Sequence, residues 1–322
     1  MCRRRSAFAP ACLLLLASGC AYAPPRKAAT LPLPLPAELA AYYDYPKPLA
    51  PGAVEEVRSH PAFREYLVRF PLSVPSGLEP TEPEVEFEWF ESTRPGRRPA
   101  IVFNPILGGD YPLERGICRH LARNGFHVAL VHRKTLKISP EHEVSRIELL
   151  LRQGVLRIRQ IVDWMVAHER VDPERLGSFG ISMGGIASVL AAATEPRLKA
   201  HMVALAGGSL PEVLMSSKDT LLTKPIHRWL QRQNVTREEL GRRLREEIAT
   251  DPVRLAPYVD PDRLFLLIAV FDRTIGRANA LRLRAALRYP RTVFLPTGHY
   301  TAYFSLPYLK YAGVRFFRRA LQ

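Results

Sequence analysis

The sequence predicts an α/β protein built on a doubly wound, mainly parallel sheet, and two observations carry that prediction. Short continuous apolar runs, of the kind buried on both faces of a sheet, recur at Ala100–Phe103, Val128–Val131, Leu176–Phe179, Met202–Leu205, Leu264–Phe271 and Thr292–Leu295. Helical patterns with apolar spacing of three and four fall between them, and strands that alternate with helices join by right-handed crossovers covering both sheet faces. With 322 residues and 47% hydrophobic content, the chain can bury the core of one large domain or two small ones, and disorder is excluded for most of it.

The first nineteen residues stand apart from this pattern. Arg3, Arg4 and Arg5 precede an apolar run from Ala7 to Ala17 that is too short to span a bilayer and reads as a secretory signal. Leu16-Ala17-Ser18-Gly19-Cys20 resembles the lipobox of bacterial lipoproteins, with Ala17 where leucine is more typical. That resemblance implies cleavage before Cys20 and its acylation, and Ala21 after it implies sorting to the outer membrane of a Gram-negative cell. The expected location is the cell envelope, facing the periplasm or exterior. An ordinary signal cut nearby, giving a soluble periplasmic or secreted protein, and an uncleaved apolar start remain open.

Residues 20–53 carry eight prolines between Pro24 and Pro51, including Leu31-Pro32-Leu33-Pro34-Leu35-Pro36. Such a segment favours extended polyproline conformation and suits a spacer between an anchored Cys20 and a folded body, residues 54–322, starting near Val54. Cys2 and Cys12 leave with the signal and Cys20 takes lipid, so Cys118 has no partner for a disulfide. Its neighbours Leu113, Ile117 and Leu121 share one helical face and mark it as a buried small hydrophobe.

The formal charge is +15, with 38 Arg and 8 Lys scattered along the chain. There is no concentrated basic run, RNA-binding aromatic motif or zinc-finger spacing, which excludes nucleic acid as the partner. Attraction to anionic headgroups or polysaccharide accounts for the charge more simply.

The elements follow in order. Glu84–Trp89 alternates charge with apolar bulk, as a strand with one wet face does, and pairs antiparallel with the run Tyr66–Phe70. After Ala100–Phe103, a helix through Leu113, Ile117 and Leu121 ends at Asn124-Gly125. A second runs from Ile147 to Met165, and a third from Ile186 to Ala193, stopping before Pro196. Residues 209–261 exceed a simple crossover. They contain the capping-box spacing Thr236-Arg237-Glu238-Glu239 and the stripe Leu240, Leu244, Ile248, which predicts a helical insertion over the C-terminal edge of the sheet. Leu210, Val213, Leu214, Met215, Leu221 and Leu222 suggest an apolar acyl site there. An elaborated crossover that touches no ligand remains open.

Ligands of open α/β sheets sit beyond the C-terminal strand ends, so chemistry is sought directly after each apolar run. Gly180-Ile181-Ser182-Met183-Gly184 places a serine on a strand-to-helix turn, matching G-x-S-x-G, although a serine there can also simply cap the helix. A serine hydroxyl needs a base, and His299 follows the last strand on the same edge. By contrast, His201 precedes its strand, His168 ends a helix and His227 lies in the insertion. The base needs a carboxylate to hold its tautomer. Asp272 follows Leu264–Phe271 directly, whereas Asp260 and Asp262 sit at that strand's other end and Asp172 belongs to a turn. Asp272 can also cap the helix that begins near Arg277.

The order Ser182, Asp272, His299 is that of nucleophile, acid and base in α/β-hydrolases. From about Tyr66 to the C-terminus the chain resembles the α/β-hydrolase superfamily, and Val171–Gly185 is similar to its dienelactone-hydrolase and peptidase-like esterase branches. The resemblance implies an eight-stranded, mostly parallel sheet and an oxyanion hole of two backbone N–H groups. Met183 supplies one. Asn104-Pro105 replaces the family's His-Gly, and since Pro105 has no N–H, Ile106 is the expected second donor with Leu107 behind it. The expected activity is hydrolysis of a carboxylic ester, from a small molecule or lipid, through an acyl-enzyme. Amide, thioester and acyl-transfer chemistry remain open, as does a non-catalytic scaffold that binds at the envelope. No HExxH, paired CxxC or phosphate-cradling loop occurs, so no metal or cofactor is expected. The oligomeric state is not indicated.

Overall fold

The computed structural model describes residues 21–25, 31–108, 110–133 and 143–322. The expected acylation site, Cys20, lies outside the described residues. The N-terminal part comprises β1 (Ala21–Ala23), α1 (Ala37–Tyr42), β2 (Ala53–His60), β3 (Phe63–Pro71), β4 (Glu84–Ser92) and β5 (Arg98–Asn104). There follow α2 (Pro112–Arg123), β6 (His127–Val131), α3 (Val144–Ala167), β7 (Val171–Ile181), α4 (Met183–Thr194) and β8 (Leu198–Ala204). Helices α5 (Leu210–Ser216), α6 (Thr220–Gln233), α7 (Arg237–Glu247) and α8 (Pro252–Leu255) precede β9 (Leu264–Ala269), α9 (Arg277–Ala286), β10 (Arg291–Leu295) and α10 (Leu306–Ala320).

The six apolar runs are the six parallel strands β5 to β10, and one sheet orders all strands β1-β10-β9-β8-β7-β5-β6-β4-β3-β2. Tyr66 pairs antiparallel with Trp89 and Phe70 with Val85, as the alternation predicts. The sheet has ten strands and not eight, because β1 and β2 are added at its two edges. β2 is exposed along nearly its whole length and shows no apolar run; only pairing with β3 makes it a strand.

Two further expectations are corrected. The folded body begins upstream of Val54, since Tyr43 and Tyr45 are buried. The Tyr43 hydroxyl meets Thr250 Oγ1 at 2.9 Å, Tyr45 donates to Asp163 Oδ2 at 2.8 Å, and the Arg152 guanidinium lies 3.9 Å from the Tyr42 ring centroid. Three tyrosines in four residues bring enough apolar area, each with a satisfied hydroxyl, to dock a stretch that its prolines disguise as a spacer. The wet face of β4 is also covered. Glu88 is buried and accepts from Arg115 and from His132 Nε2 at 2.8 Å. Burial alone would raise its pKa, but His132 and Arg115 hold the carboxyl down to about 2.

The insertion is helical, and Thr236 Oγ1 accepts from Glu239 N–H at 3.1 Å as its capping spacing predicts. Its stripe Leu240, Leu244, Ile248 is buried in one cluster with Leu151 and Val155 of α3 and Ile186 and Val189 of α4. No helix among the described residues is long and apolar enough to cross a membrane.

Two histidines in the sheet are held neutral. His127 Nδ1 accepts from Ser92 N–H while Nε2 meets Arg170 O, each at 3.1 Å, and burial pushes its pKa down to about 4. His201 lies inside β8 and not before it, against Ser178 Oγ at 2.8 Å, and burial pushes it down to about 3. A pKa below the unfolded value gives stability that is present above pH 6.5 and lost as pH falls. The expected loss by pH 5 is about 2 kcal/mol for each. His132 works the other way: burial lowers its pKa, but Glu88 and Glu86 outweigh burial and raise it. Its gain as pH falls lies mostly above pH 6.5 and offsets only part of the loss, so stability from denaturant unfolding is expected to be lower at pH 5 than at pH 7; equal stability at the two would contradict the neutral state of His127 and His201.

Candidate active site

β7 ends at Ile181 and α4 begins at Met183, so Ser182 alone makes the turn between them. Its backbone sits at φ 57°, ψ −121°, a strained conformation for a side-chain-bearing residue, and its N–H is fixed to Ala204 O of β8 at 2.8 Å. The flanking glycines are needed for close backbone contact. A Cβ on Gly180 would lie 1.9 Å from Gly184 O, and one on Gly184 would lie 1.9 Å from Asn104 O. The serine turn is therefore packed directly against the loop that follows β5. Ser182 makes no side-chain capping bond to α4, so its hydroxyl is left for other work.

The loops after β9 and β10 are joined by backbone bonds, Val270 N–H to Leu295 O and Phe271 N–H to Thr297 O, each 2.9 Å. They bring Asp272 and His299 together. Asp272 Oδ1 accepts from the N–H groups of Thr274 at 2.9 Å and Ile275 at 2.8 Å, while its Oδ2 lies 2.7 Å from His299 Nδ1. The far nitrogen, His299 Nε2, is 2.9 Å from Ser182 Oγ. Asp272 thus caps its own turn and not α9, whose N-terminal flank is Gly276. A carboxylate on Nδ1 places the imidazole proton there, leaving the Nε2 lone pair to accept the serine proton.

The competing residues are accounted for elsewhere. His168 ends α3 and lies 3.2 Å from Glu91; His227 is on the exposed face of α6; Asp172 pairs with Arg175 at 2.7 Å. Cys118 is buried, and burial pushes its thiol pKa well up. Among the described residues no group of three or more His, Cys, Asp or Glu is placed to hold a metal ion.

The loop after β5 departs from expectation. Asn104 Nδ2 donates to Ser188 Oγ at 2.9 Å, and Arg133 Nη2 donates to both Pro105 O and Ile106 O at 2.7 Å. The Ile106 N–H donates to Glu114 Oε1 at 3.1 Å, so the amide expected to face a substrate oxygen is already committed. Glu114 is buried in the first turn of α2, and its carboxylate must take donors from the chain around it.

Four residues near the site gave no signal in the sequence: Arg133, Glu114, Asp219 and Tyr300. Asp219 caps α6 by accepting from Leu221 N–H at 2.9 Å, and its Oδ2 accepts from Thr274 Oγ1 at 2.6 Å and Tyr300 OH at 2.5 Å. Burial opposes its charge, but the Thr274 and Tyr300 hydroxyls outweigh this and lower its pKa. The insertion is thereby tied to the acid loop and the base loop together. Neither its cap nor its partner 81 residues away was read from the sequence.

The model of the prolyl oligopeptidase family (Peptidase_S9) matches residues 150–295, a stretch that includes Ser182 and Asp272 and stops before His299. No curated protein matches by sequence. Among solved structures, acetyl xylan esterase 1 from Thermoanaerobacterium sp. JW/SL YS485 is similar at TM-score 0.65 and 16% identity, over 90% of this chain and 95% of that one. An acetyl xylan esterase from Paenibacillus sp. R4 is similar at TM-score 0.67 and 18% identity, over 88% and 93%. Pyrococcus horikoshii acylaminoacyl peptidase is similar at TM-score 0.58 and 15% identity, over 81% of this chain and 42% of that one. The chain has the α/β-hydrolase fold.

Proposed function

We propose that this protein is a serine hydrolase that cleaves carboxylic esters through an acyl-enzyme, held at the bacterial envelope by an acylated Cys20. The observation that carries the reading is the chain of contacts from Ser182 Oγ through His299 to Asp272. Ser182 Oγ attacks the carbonyl carbon as His299 Nε2 takes its proton; His299 returns the proton to the leaving alkoxide, and a water repeats the sequence to free the acid. Asp272 keeps the proton on Nδ1 and balances the imidazolium. Met183 N–H is one oxyanion donor, and with Ile106 committed to Glu114 the second role passes to Leu107.

Arg133 keeps this loop in place through two carbonyls, so Arg133→Ala is expected to lower kcat about 100-fold with KM little changed. A fall in KM's favour alone, with kcat intact, would remove the loop from the proposal.

The ester reading is supported by the two esterase neighbours. The family match and the peptidase neighbour favour a second reading, hydrolysis of peptide amides by the same residues. A fluorophosphonate probe is expected to label the protein once, at Ser182, and p-nitrophenyl esters are expected to turn over faster than acyl-peptide p-nitroanilides. Labelling at another residue, or none in folded protein, would overturn the hydrolase reading and favour a binding scaffold. Faster anilide hydrolysis would replace the ester reading with the peptidase one.

A further inference from the structure

Exposed aromatic side chains crowd the mouth of the candidate site. Phe271, Tyr300, Tyr303 and Phe304 are each at least 60% exposed, and Leu221 of α6 is exposed beside them in the insertion. Phe271 directly precedes Asp272, Tyr300 directly follows His299, and Tyr303 and Phe304 lie in the short turn Thr301–Ser305 that continues the same loop. The Asp219 carboxylate draws Leu221 and Tyr300 to one point, as it bonds the Leu221 amide and the Tyr300 hydroxyl. Four large exposed aromatics on two adjoining loops, with Tyr303 and Phe304 in ring contact at 6.1 Å, are unusual on a surface that faces water alone.

The rim is also basic. Lys218 and Arg273 are exposed and adjacent, with Lys218 N–H donating to Arg273 O at 3.1 Å, on a chain of formal charge +15.

The register of β1 adds an independent observation. β1 runs antiparallel to β10, with Ala23 opposite Thr292 and Ala21 opposite Phe294, one residue short of the C-terminal end of β10. His299 lies beyond that same end. Residue 21, the one after Cys20, is therefore placed at the edge of the sheet where the site opens.

We propose that the mouth of the active site is a membrane-docking face, in which Phe271, Tyr300, Tyr303 and Phe304 seat in the headgroup layer of an anionic bilayer with Lys218 and Arg273 against its phosphates. The esters hydrolysed are then those dissolved in or presented by the lipid. Tyrosine and phenylalanine bodies partition into this interfacial layer, and each nearby basic residue adds attraction to an anionic leaflet. An anchor at Cys20 would hold the chain by the same edge, so tether and rim face one surface and no long linker is needed to reach it. The proposal rests on the hydrolase reading of the site, and the reading of Cys20 as an acylated residue adds to it without being required.

The full-length protein, as purified from the cells that make it, is mixed with vesicles of equal parts phosphatidylglycerol and phosphatidylethanolamine carrying brominated acyl chains. The native tryptophans Trp89 and Trp229 are buried in the core and Trp164 packs on Trp89, so wild type serves as the control for a reporter placed by Phe304→Trp. The introduced tryptophan is expected to lose emission to the brominated lipid while wild-type emission holds. The combined variant Phe271→Ala, Tyr303→Ala, Phe304→Ala is expected to keep its rate on a water-soluble ester and to lose about tenfold on an ester dissolved in the vesicles. Lys218→Glu with Arg273→Glu is expected to weaken vesicle partitioning about fivefold for each residue.

Four results separate the readings. An acyl mass on the N-terminal peptide with no quenching overturns the docking face and leaves the anchor. Quenching without an acyl mass removes the anchor and keeps the face. A rim variant that loses binding to insoluble acetylated polysaccharide, with its behaviour on vesicles unchanged, overturns the membrane proposal in favour of a polysaccharide surface. Failure of the wild type on the water-soluble ester tells against the hydrolase reading itself, whatever the quenching shows.

Discussion

Ser182→Ala is expected to lower kcat for ester hydrolysis by about 100,000-fold while the protein stays folded. The substitution removes one oxygen, Oγ, whose contact in the described structure is His299 Nε2 at 2.9 Å, and leaves the N–H bond to Ala204 that holds the turn. Alanine must still adopt φ 57°, as serine does, so stability should change little. Residual rate would come from the oxyanion donors and from substrate binding. Steady-state kinetics on a p-nitrophenyl ester, with circular dichroism to establish folding, decide the matter; a folded variant that retains more than about a hundredth of the wild-type rate would remove Ser182 from the mechanism.

Asp272→Asn is expected to cost about 10,000-fold in kcat with a small change in KM. The geometry makes the reason specific. Oδ1 accepts two backbone N–H groups, from Thr274 and Ile275, so an asparagine there keeps its carbonyl oxygen in that position and turns its NH2 group toward His299. An N–H facing Nδ1 forces the imidazole proton to Nε2, and Ser182 then faces a donor where it needs an acceptor. The rate of fluorophosphonate labelling should fall in parallel with kcat. Asp272→Ala is expected to do further harm to stability, because it also leaves the Thr274 and Ile275 amides without their acceptor. A near-normal rate in Asp272→Asn would mean that another group orients the histidine.

The parts of the fold that could be read in advance have local physical signatures. Parallel strands buried on both faces must be continuously apolar, and all six such runs are strands of the central sheet. The strand-to-helix turn at Ser182 needs residues without bulk at Gly180 and Gly184, which marks the sequence at short range. Edge strands carry no such mark: β2 is exposed on both faces, and three residues suffice for β1. The docking of Tyr42, Tyr43 and Tyr45 depends on Glu148, Asp163 and Thr250, more than a hundred residues away. A proline-rich context gave no hint of those partners.

For the site, the sequence alone determined the residue types and their order, Ser182, Asp272 and His299 each in the turn or loop beyond a strand, because a parallel sheet delivers all its C-terminal strand ends to one edge. Only the tertiary structure decided how the surrounding groups are used. It committed the Ile106 amide to Glu114, clamped the loop after β5 through Arg133, and tied the insertion to the acid and base loops through Asp219. A backbone N–H or a carboxylate has many possible partners of equal chemistry, and sequence spacing says nothing of which one folding brings within 3 Å.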